Sequence, residues 1–327
     1  MIKWALLILF IFVLAGCSKY PSGGLVLVTN ERDGTVTVID PGTDSVIDVF
    51  YTGARARGIR MNADGSRAYI ALSTMLNHKK FAGDDRIAVF DTHKGEIINI
   101  IDVGSDPEQL DVSKDEKYLY ASNEDAGTLT ITDVQTGEPV ATLTVGLEPE
   151  GITLSPDGRW AYVTAETSNT ISVIDTEKQQ VIKTFLVGAR PRSVAFSPDS
   201  AKAYVTSEVG QLLSVVDTST HSVVNTVSLA FDQNSKPVGI AVTPDGKTIY
   251  VANGRGNSVS IIDAVSLEIL KTIPVGERVW GIALTPDATK LYAANGLSND
   301  VSVIDTSANK IIKTIKAGDG PWGVATR

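Results

Sequence analysis

After its first two dozen residues, the chain alternates apolar and polar positions in short bursts. Segments such as "LTITD" at 129–133, "TISVID" at 170–175 and "VSVID" at 301–305 repeat with a period of two, as half-buried strands do. Gly, Pro, Asn and Asp clusters between them read as turns. Residues 151–187 give four such runs in succession: "GITLS", "WAYVTA", "TISVID" and "VIKTFLV".

The four-strand pattern recurs along the chain. Valine–glycine pairs end at Gly104, Gly146, Gly188 and Gly276, and an alanine–glycine pair at Gly318, with spacings of 42, 42, 88 and 42 residues; the long gap holds two units. Seven alternating segments end in an aspartate: Asp40, Asp91, Asp133, Asp175, Asp217, Asp263 and Asp305. Four short strands in about 42 residues is the blade signature of a β-propeller. The chain opens mid-unit at "LVLVTN" and ends on a lone first strand, "GPWGVAT". The expected fold is therefore all-β: a seven-bladed β-propeller over residues 25–327, with the C-terminal strand completing the N-terminal blade. Closure of this kind removes exposed sheet edges, which an open solenoid would leave.

Most repeated polar residues belong to turns. "SPDG", "TPDG" and "NADG" join first and second strands. The seven aspartates sit where the third strand turns into the fourth, one per blade, which suits turn capping rather than a shared metal. "YVTAE" at 162–166, "YVTSE" at 204–208, "YVANG" at 250–254 and the "VID" ends resemble the YVTN-type propeller repeat family.

The entry to each first strand carries the variation. The residues before the proline position are Arg55, Asp106, Glu148, Arg190, Lys236, Arg278 and Gly320; those after it are Arg57, Glu108, Glu150, Arg192, Val238, Trp280 and Trp322. The first strand is innermost in a blade, and alternation would put both positions on one side, ringing a channel mouth. Loops between second and third strands reach the same face and begin with Glu31, Glu124, Glu166 and Glu208. Candidate ligand-binding residues are thus Arg57, Glu108, Glu150, Arg192, Trp280, Trp322, Glu124, Glu166 and Glu208. They form either a polar cup for a small anionic or planar ligand or a mouth that neutralises itself, Arg57 with Glu108 and Arg192 with Glu150. Arg60 and Asp111 interrupt an apolar row and suggest a buried pair. An insertion at 73–85 reaches the same face.

The N-terminus, "MIKWALLILFIFVLAGCSKY", reads as a signal h-region. Leu14-Ala15-Gly16-Cys17 resembles the lipobox of bacterial lipoproteins. That implies a signal peptide at 1–16, lipidation at Cys17, a tether at 17–24, and a place in the cell envelope, at the outer membrane facing the periplasm. Cys17 is the only cysteine, so no disulfide forms within the chain. Without residues 1–16 the chain carries 28 basic and 38 acidic residues, a net charge of −10, which argues against a nucleic-acid partner.

"DPEQL" at 106–110, "VGLEPEG" at 145–151, "RPR" at 190–192, "GERVWGIALTP" at 276–286 and "PWGV" at 321–324 resemble propellers associated with PQQ-dependent (quinoprotein) alcohol catabolism. The resemblance implies an accessory role near a quinoprotein dehydrogenase. His78, His93 and His221 show no metal-ligand spacing, no nucleophilic triad gathers on one face, and nothing names a cofactor. These features predict a lipid-anchored, non-enzymatic binding module. The alternatives are a propeller lactonase or lyase using Glu108 and Glu150 with Arg57 and Arg192, and a surface scaffold.

Overall fold

The computed structural model describes residues 18–74, 85–230 and 234–327. The signal sequence with Cys17, and most of the 73–85 insertion with His78, lie outside the described residues. Among the described residues, 28 strands and no helix form seven four-stranded antiparallel sheets. This is the seven-bladed β-propeller. Blade 1 joins the C-terminal strand Pro321–Thr326 to Val26–Asn30, Thr35–Asp40 and Ser45–Tyr51. Blades 2 to 7 span 55–102, 107–144, 149–186, 191–228, 237–274 and 279–316.

Second and third strands are the core. "WAYVTA" and "TISVID" are buried almost throughout, whereas the outer strand Gln180–Leu186 is exposed apart from half-buried Val181 and Phe185. Valine, isoleucine and tyrosine suit this pleated, buried surface. The turn aspartates cap as expected: Asp133 Oδ1 accepts the Gln135 and Thr136 N–H groups, and Asp263 Oδ1 those of Val265 and Ser266. Blade 7 is locked to blade 1 by Tyr292, whose hydroxyl donates to Asp44 at 2.5 Å, while Lys290 reaches the same carboxylate at 2.8 Å.

Every inner strand carries a β-bulge just inside its entry. In blade 4, Pro149 pairs with Ala165 but Ile152 with Val163, so Glu150 and Gly151 together oppose Thr164. The same slip recurs in the other six blades. A bulge bends the strand and re-aims its extra residue, and here that residue is the one after the proline position. The residue before it precedes the strand in the left-handed region: φ is 48° at Asp106, 53° at Glu148, 57° at Arg190, 47° at Lys236 and 56° at Arg278. Simple alternation therefore gives the right side of the strand for the wrong reason.

A hydroxyl opposite the bulge ties neighbouring blades together. Thr164 Oγ1 accepts the Gly151 N–H at 2.7 Å and donates to the Arg192 carbonyl of blade 5 at 3.1 Å. Thr29 does the same with Gly323 and Arg57, Thr206 with Ser193 and Val238, and Ser122 with Gln109 and Glu150. The contact is too tight for a side chain at Gly151, where a Cβ would lie 2.4 Å from the Arg192 carbonyl oxygen.

The N-terminal segment docks on the opposite face. Lys19 N–H donates to the His93 carbonyl at 2.7 Å, in the turn between the third and fourth strands of blade 2. Lys19 Nζ and the Tyr20 hydroxyl both reach Asp48 at 2.6 Å.

Candidate functional site

The seven bulges project Trp322, Arg57, Glu108, Glu150, Arg192, Val238 and Trp280, in blade order, around the channel mouth. A second ring comes from the residue that follows, on the second strand side, the partner of each proline position: Glu31, Ser73, Glu124, Glu166, Glu208, Gly254 and Gly296. The mouth is therefore asymmetric. Carboxylates and guanidiniums fill the arc of blades 2 to 5, and indoles with glycines occupy blades 6, 7 and 1. Gly296 makes room for an indole; a Cβ there would lie 2.8 Å from Trp280 Cδ1.

All nine sequence-predicted ligand-binding residues meet here. Arg192 is buried and its Nη1 contacts Glu150 Oε1 at 2.7 Å and also Glu166, with Nε 3.7 Å from Glu208. Arg57 Nη1 is in close contact with Glu108 and lies 3.9 Å from Glu124, while its Nε is 3.9 Å from Glu31. Arg190 donates twice to Glu166, at 2.9 and 2.7 Å. Arg55 reaches Glu31 at 3.1 Å, and Arg278 Nη2 lies 3.6 Å from Glu208. The Trp280 and Trp322 rings stack at 6.2 Å, with Arg278 4.2 Å and Arg192 5.4 Å from Trp280, and Arg57 5.0 Å from Trp322. Five guanidiniums and six carboxylates thus form one network. The expected Arg57–Glu108 and Arg192–Glu150 pairs are both present within it.

Burial divides the roles of the carboxyls. Glu150 is pushed up to about 7, first by burial and then by Glu166 and Glu124, against the pull of Arg192 and Arg57. Burial also opposes ionisation of Glu166, but the Arg190 hydrogen bonds and Arg192 outweigh it and hold Glu166 at about 2. Burial raises Glu124. Two neighbouring carboxyls with pKa values driven apart are a signature of acid–base sites. Several polar atoms here are buried without a partner among the described residues: Glu108 Oε2, Arg57 Nε, Arg278 Nη1, Asp106 Oδ1 and Trp322 Nε1. Such orphans are uncommon in a merely structural network.

Two cavities meet at Trp280. The mouth cavity, about 30 Å³, is lined by Glu150, Arg192, Val238, Trp280 and Trp322. A cleft of about 500 Å³ lies on the other side of the indole, lined by Arg255, Glu277, Arg278, Gly296 and Leu297. The first has room for water only and the second for a small organic ligand.

The sequence places Asp106, Arg190, Arg278 and Glu31 at the mouth but not among the candidate ligand-binding residues. Their signal was a bulky charged residue at a left-handed position or at the head of a loop. Arg60 and Asp111 do pair, at 3.9 Å, but the pair is half-buried rather than buried, and Asp111 also accepts the Val112 and Leu154 N–H groups. Asp106, Glu108 and Glu124 bring carboxylate oxygens within 4.8 Å of one another, with Arg57 among them.

The family model of the seven-bladed β-propeller lactonases matches residues 176–311, and that of the cytochrome D1 heme domain matches residues 20–150. No curated protein matches the chain. Among solved structures, a 6-phosphogluconolactonase candidate from Bacteroides uniformis is 16% identical with a TM-score of 0.78, covering 93% of this chain and 100% of its own. One from Bacteroides fragilis is 18% identical with a TM-score of 0.77, covering 94% and 98%. Hydrazine synthase of Kuenenia stuttgartiensis is 21% identical with a TM-score of 0.76, covering 86% and 92%. These likenesses bear out the propeller. The lactonase family match overturns the expectation of a non-enzymatic accessory module and favours its catalytic alternative. A haem does not fit the mouth: among the described residues no His, Cys, Met or Tyr lines it as an axial ligand, and His93 and His221 lie in turns on the opposite face.

Proposed function

We propose that the protein hydrolyses the cyclic ester of a lactone at the channel mouth. The observation that carries this reading is Glu150: a buried carboxyl with a pKa near neutrality, held 2.7 Å from a buried guanidinium beside two stacked indoles. The lactonase family model and the 6-phosphogluconolactonase-like neighbours supply the substrate class.

Ionised Glu150 takes a proton from a water that attacks the ester carbonyl carbon. The carbonyl oxygen becomes an oxyanion, which Arg192 stabilises; no hydrogen bond among the described residues engages its Nη2. Collapse breaks the bond to the ring oxygen, and Glu150 returns its proton there, giving the open hydroxy acid. The Arg190 bonds keep Glu166 charged, so that Glu166 holds the Arg192 guanidinium in place. The Arg57–Glu108 pair adjoins this centre on the same arc of the mouth. The substrate ring lies in the cleft against Trp280, which must swing aside for the ester to reach Glu150. General-base catalysis contributes about 10²–10⁴-fold and one oxyanion donor about 10²–10³-fold. Glu150→Gln should lower the hydrolysis rate of sugar lactones at least about 100-fold, followed by pH-stat. Retention of full rate would refute the assignment.

We further infer an envelope location from the lipobox ending at Cys17. The YVTN-type and quinoprotein-associated resemblances suit this chemistry, because oxidation of a cyclic hemiacetal yields a lactone. The Lys19–Asp48 and Tyr20–Asp48 clasp would then point the mouth away from the bilayer. Mass spectrometry of the mature N-terminal peptide tests the anchor; an unmodified Cys17 would refute it.

A further inference from the structure

One contact between blades has an acceptor that titrates near neutrality. The phenol of Tyr162, on the second strand of blade 4, lies 2.6 Å from Nδ1 of His221, in the turn between the third and fourth strands of blade 5. Both residues are buried. Burial also raises the phenol, so the hydroxyl keeps its proton and donates it to Nδ1. The seam between blades 7 and 1 is built the same way. There Tyr292 donates to Asp44, and Asp44 and His221 occupy the same left-handed station of the turn, with φ of 50° and 48°. The station needs a hydrogen-bond acceptor. Asp44 keeps an acceptor oxygen in either protonation state, whereas His221 accepts only while Nδ1 carries no proton.

We propose that Tyr162 and His221 form a proton-sensitive latch, which closes the seam between blades 4 and 5 when the ring is neutral and loosens it when the ring is protonated. A protonated ring could only donate to the phenol oxygen, leaving the phenol's own proton buried without an acceptor. The surroundings oppose the charge as well. Trp160 meets the ring edge-on at 4.7 Å, Arg159 lies over that indole, and Lys183 Nζ donates to the adjoining Thr220 carbonyl at 2.8 Å. Burial first, then Lys183 and Arg159, hold the imidazole below its ordinary 6.5, against the pull of Asp217. The unfolded chain therefore takes up this proton before the folded one does. The latch contributes in full above the unfolded value and is lost as pH falls below it. The seam it closes is the one on which Glu150 meets Arg192 and Thr164 clips Gly151 to the Arg192 carbonyl. The latch holds whatever reaction the mouth performs.

Hydrogen–deuterium exchange of the full chain at about pH 7.5 and about pH 5.5 tests it, with rates corrected for the intrinsic pH dependence of exchange. The comparison is with His221→Asn, which keeps an acceptor where Nδ1 stood, suits the left-handed backbone and does not titrate. Glu150, in the same blade, shifts stability with pH in the opposite sense, and this comparison cancels it. At the lower pH, protection of Trp160–Ala165, Gln180–Leu186 and Ser222–Ser228 should drop in the parent relative to the variant, by up to about tenfold per pH unit. Strands of the blade 7–blade 1 seam should not differ between the two proteins. Tyr162→Phe should loosen the blade 4–blade 5 seam at both pH values. A parent whose protection follows that of His221→Asn at both pH values would overturn the latch, as would a seam unchanged by Tyr162→Phe.

Discussion

Glu150→Gln should make the protein more stable at the pH where it makes it inactive. Folding carries this carboxyl from an ordinary value of 4.5 to about 7. Its native state therefore holds a proton that the unfolded chain releases between those values. A raised acid of this kind weakens the fold as pH climbs through the window, because ionising it in place is unfavourable. About 2.5 pKa units correspond to roughly 3 kcal/mol. Glutamine removes that term while keeping an oxygen for Arg192 Nη1, and the guanidinium retains Glu166 at Nη1 and Glu208 at Nε. The stability difference between variant and parent should be near zero below pH 4, grow through pH 5 and 6, and level off above pH 7 at up to about 3 kcal/mol in the variant's favour. Urea unfolding at several pH values, followed by Trp fluorescence, reads it directly. A variant less stable than the parent at pH 8, or a difference that does not change with pH, would refute the claim that Glu150 is held protonated by burial.

Glu166→Gln should act with the opposite sign: Glu166 is held at about 2, so its contribution is present at neutral pH and lost as acid approaches that value; the same titration would show a variant less stable than the parent at pH 7. Thr164→Val removes both bonds of the inter-blade clip and strands the Gly151 N–H, which should destabilise by about 1–3 kcal/mol and lower the lactonase rate through the displaced Arg192 backbone; urea midpoints and kcat check the two effects. Tyr292→Phe should cost about 1–2 kcal/mol by opening the clasp onto Asp44 where the ring closes. Trp280→Ala would merge the mouth cavity with the 500 Å³ cleft; bulkier lactones should gain relative to small ones in kcat/KM, and an unchanged order would show that Trp280 does not separate the two.

Period and punctuation made the fold legible. A two-residue alternation in units of 42, with a strand missing at one end and spare at the other, leaves one closed arrangement. The mouth was legible as a list of residue types, because Arg57, Glu108, Glu150 and Arg192 stand at one aligned position in consecutive units. Its geometry was not legible. The bulge leaves no mark of its own: the residue after it is Gly in five blades but Gln109 and Ser193 in the others, and the strand pattern beyond it resumes in phase. The split between Glu150 and Glu166 depends on which arginines reach each carboxyl, and the contacting arginines lie 24 to 42 residues away in the chain. The enzymatic reading was underweighted because a search for histidine, cysteine or metal spacing has no template for a buried Glu–Arg pair.

The repeated bulge gives the molecule a dial with seven settings. One side chain per blade is turned into the mouth by a backbone bulge against the second strand that recurs whatever that side chain is. Tryptophan, arginine, glutamate and valine all occupy the same station. A change at one station rewrites the chemistry of the mouth while the wheel stays true, so a designer wishing to convert this site to another ester would begin with Val238, the one station that holds no charge and no ring.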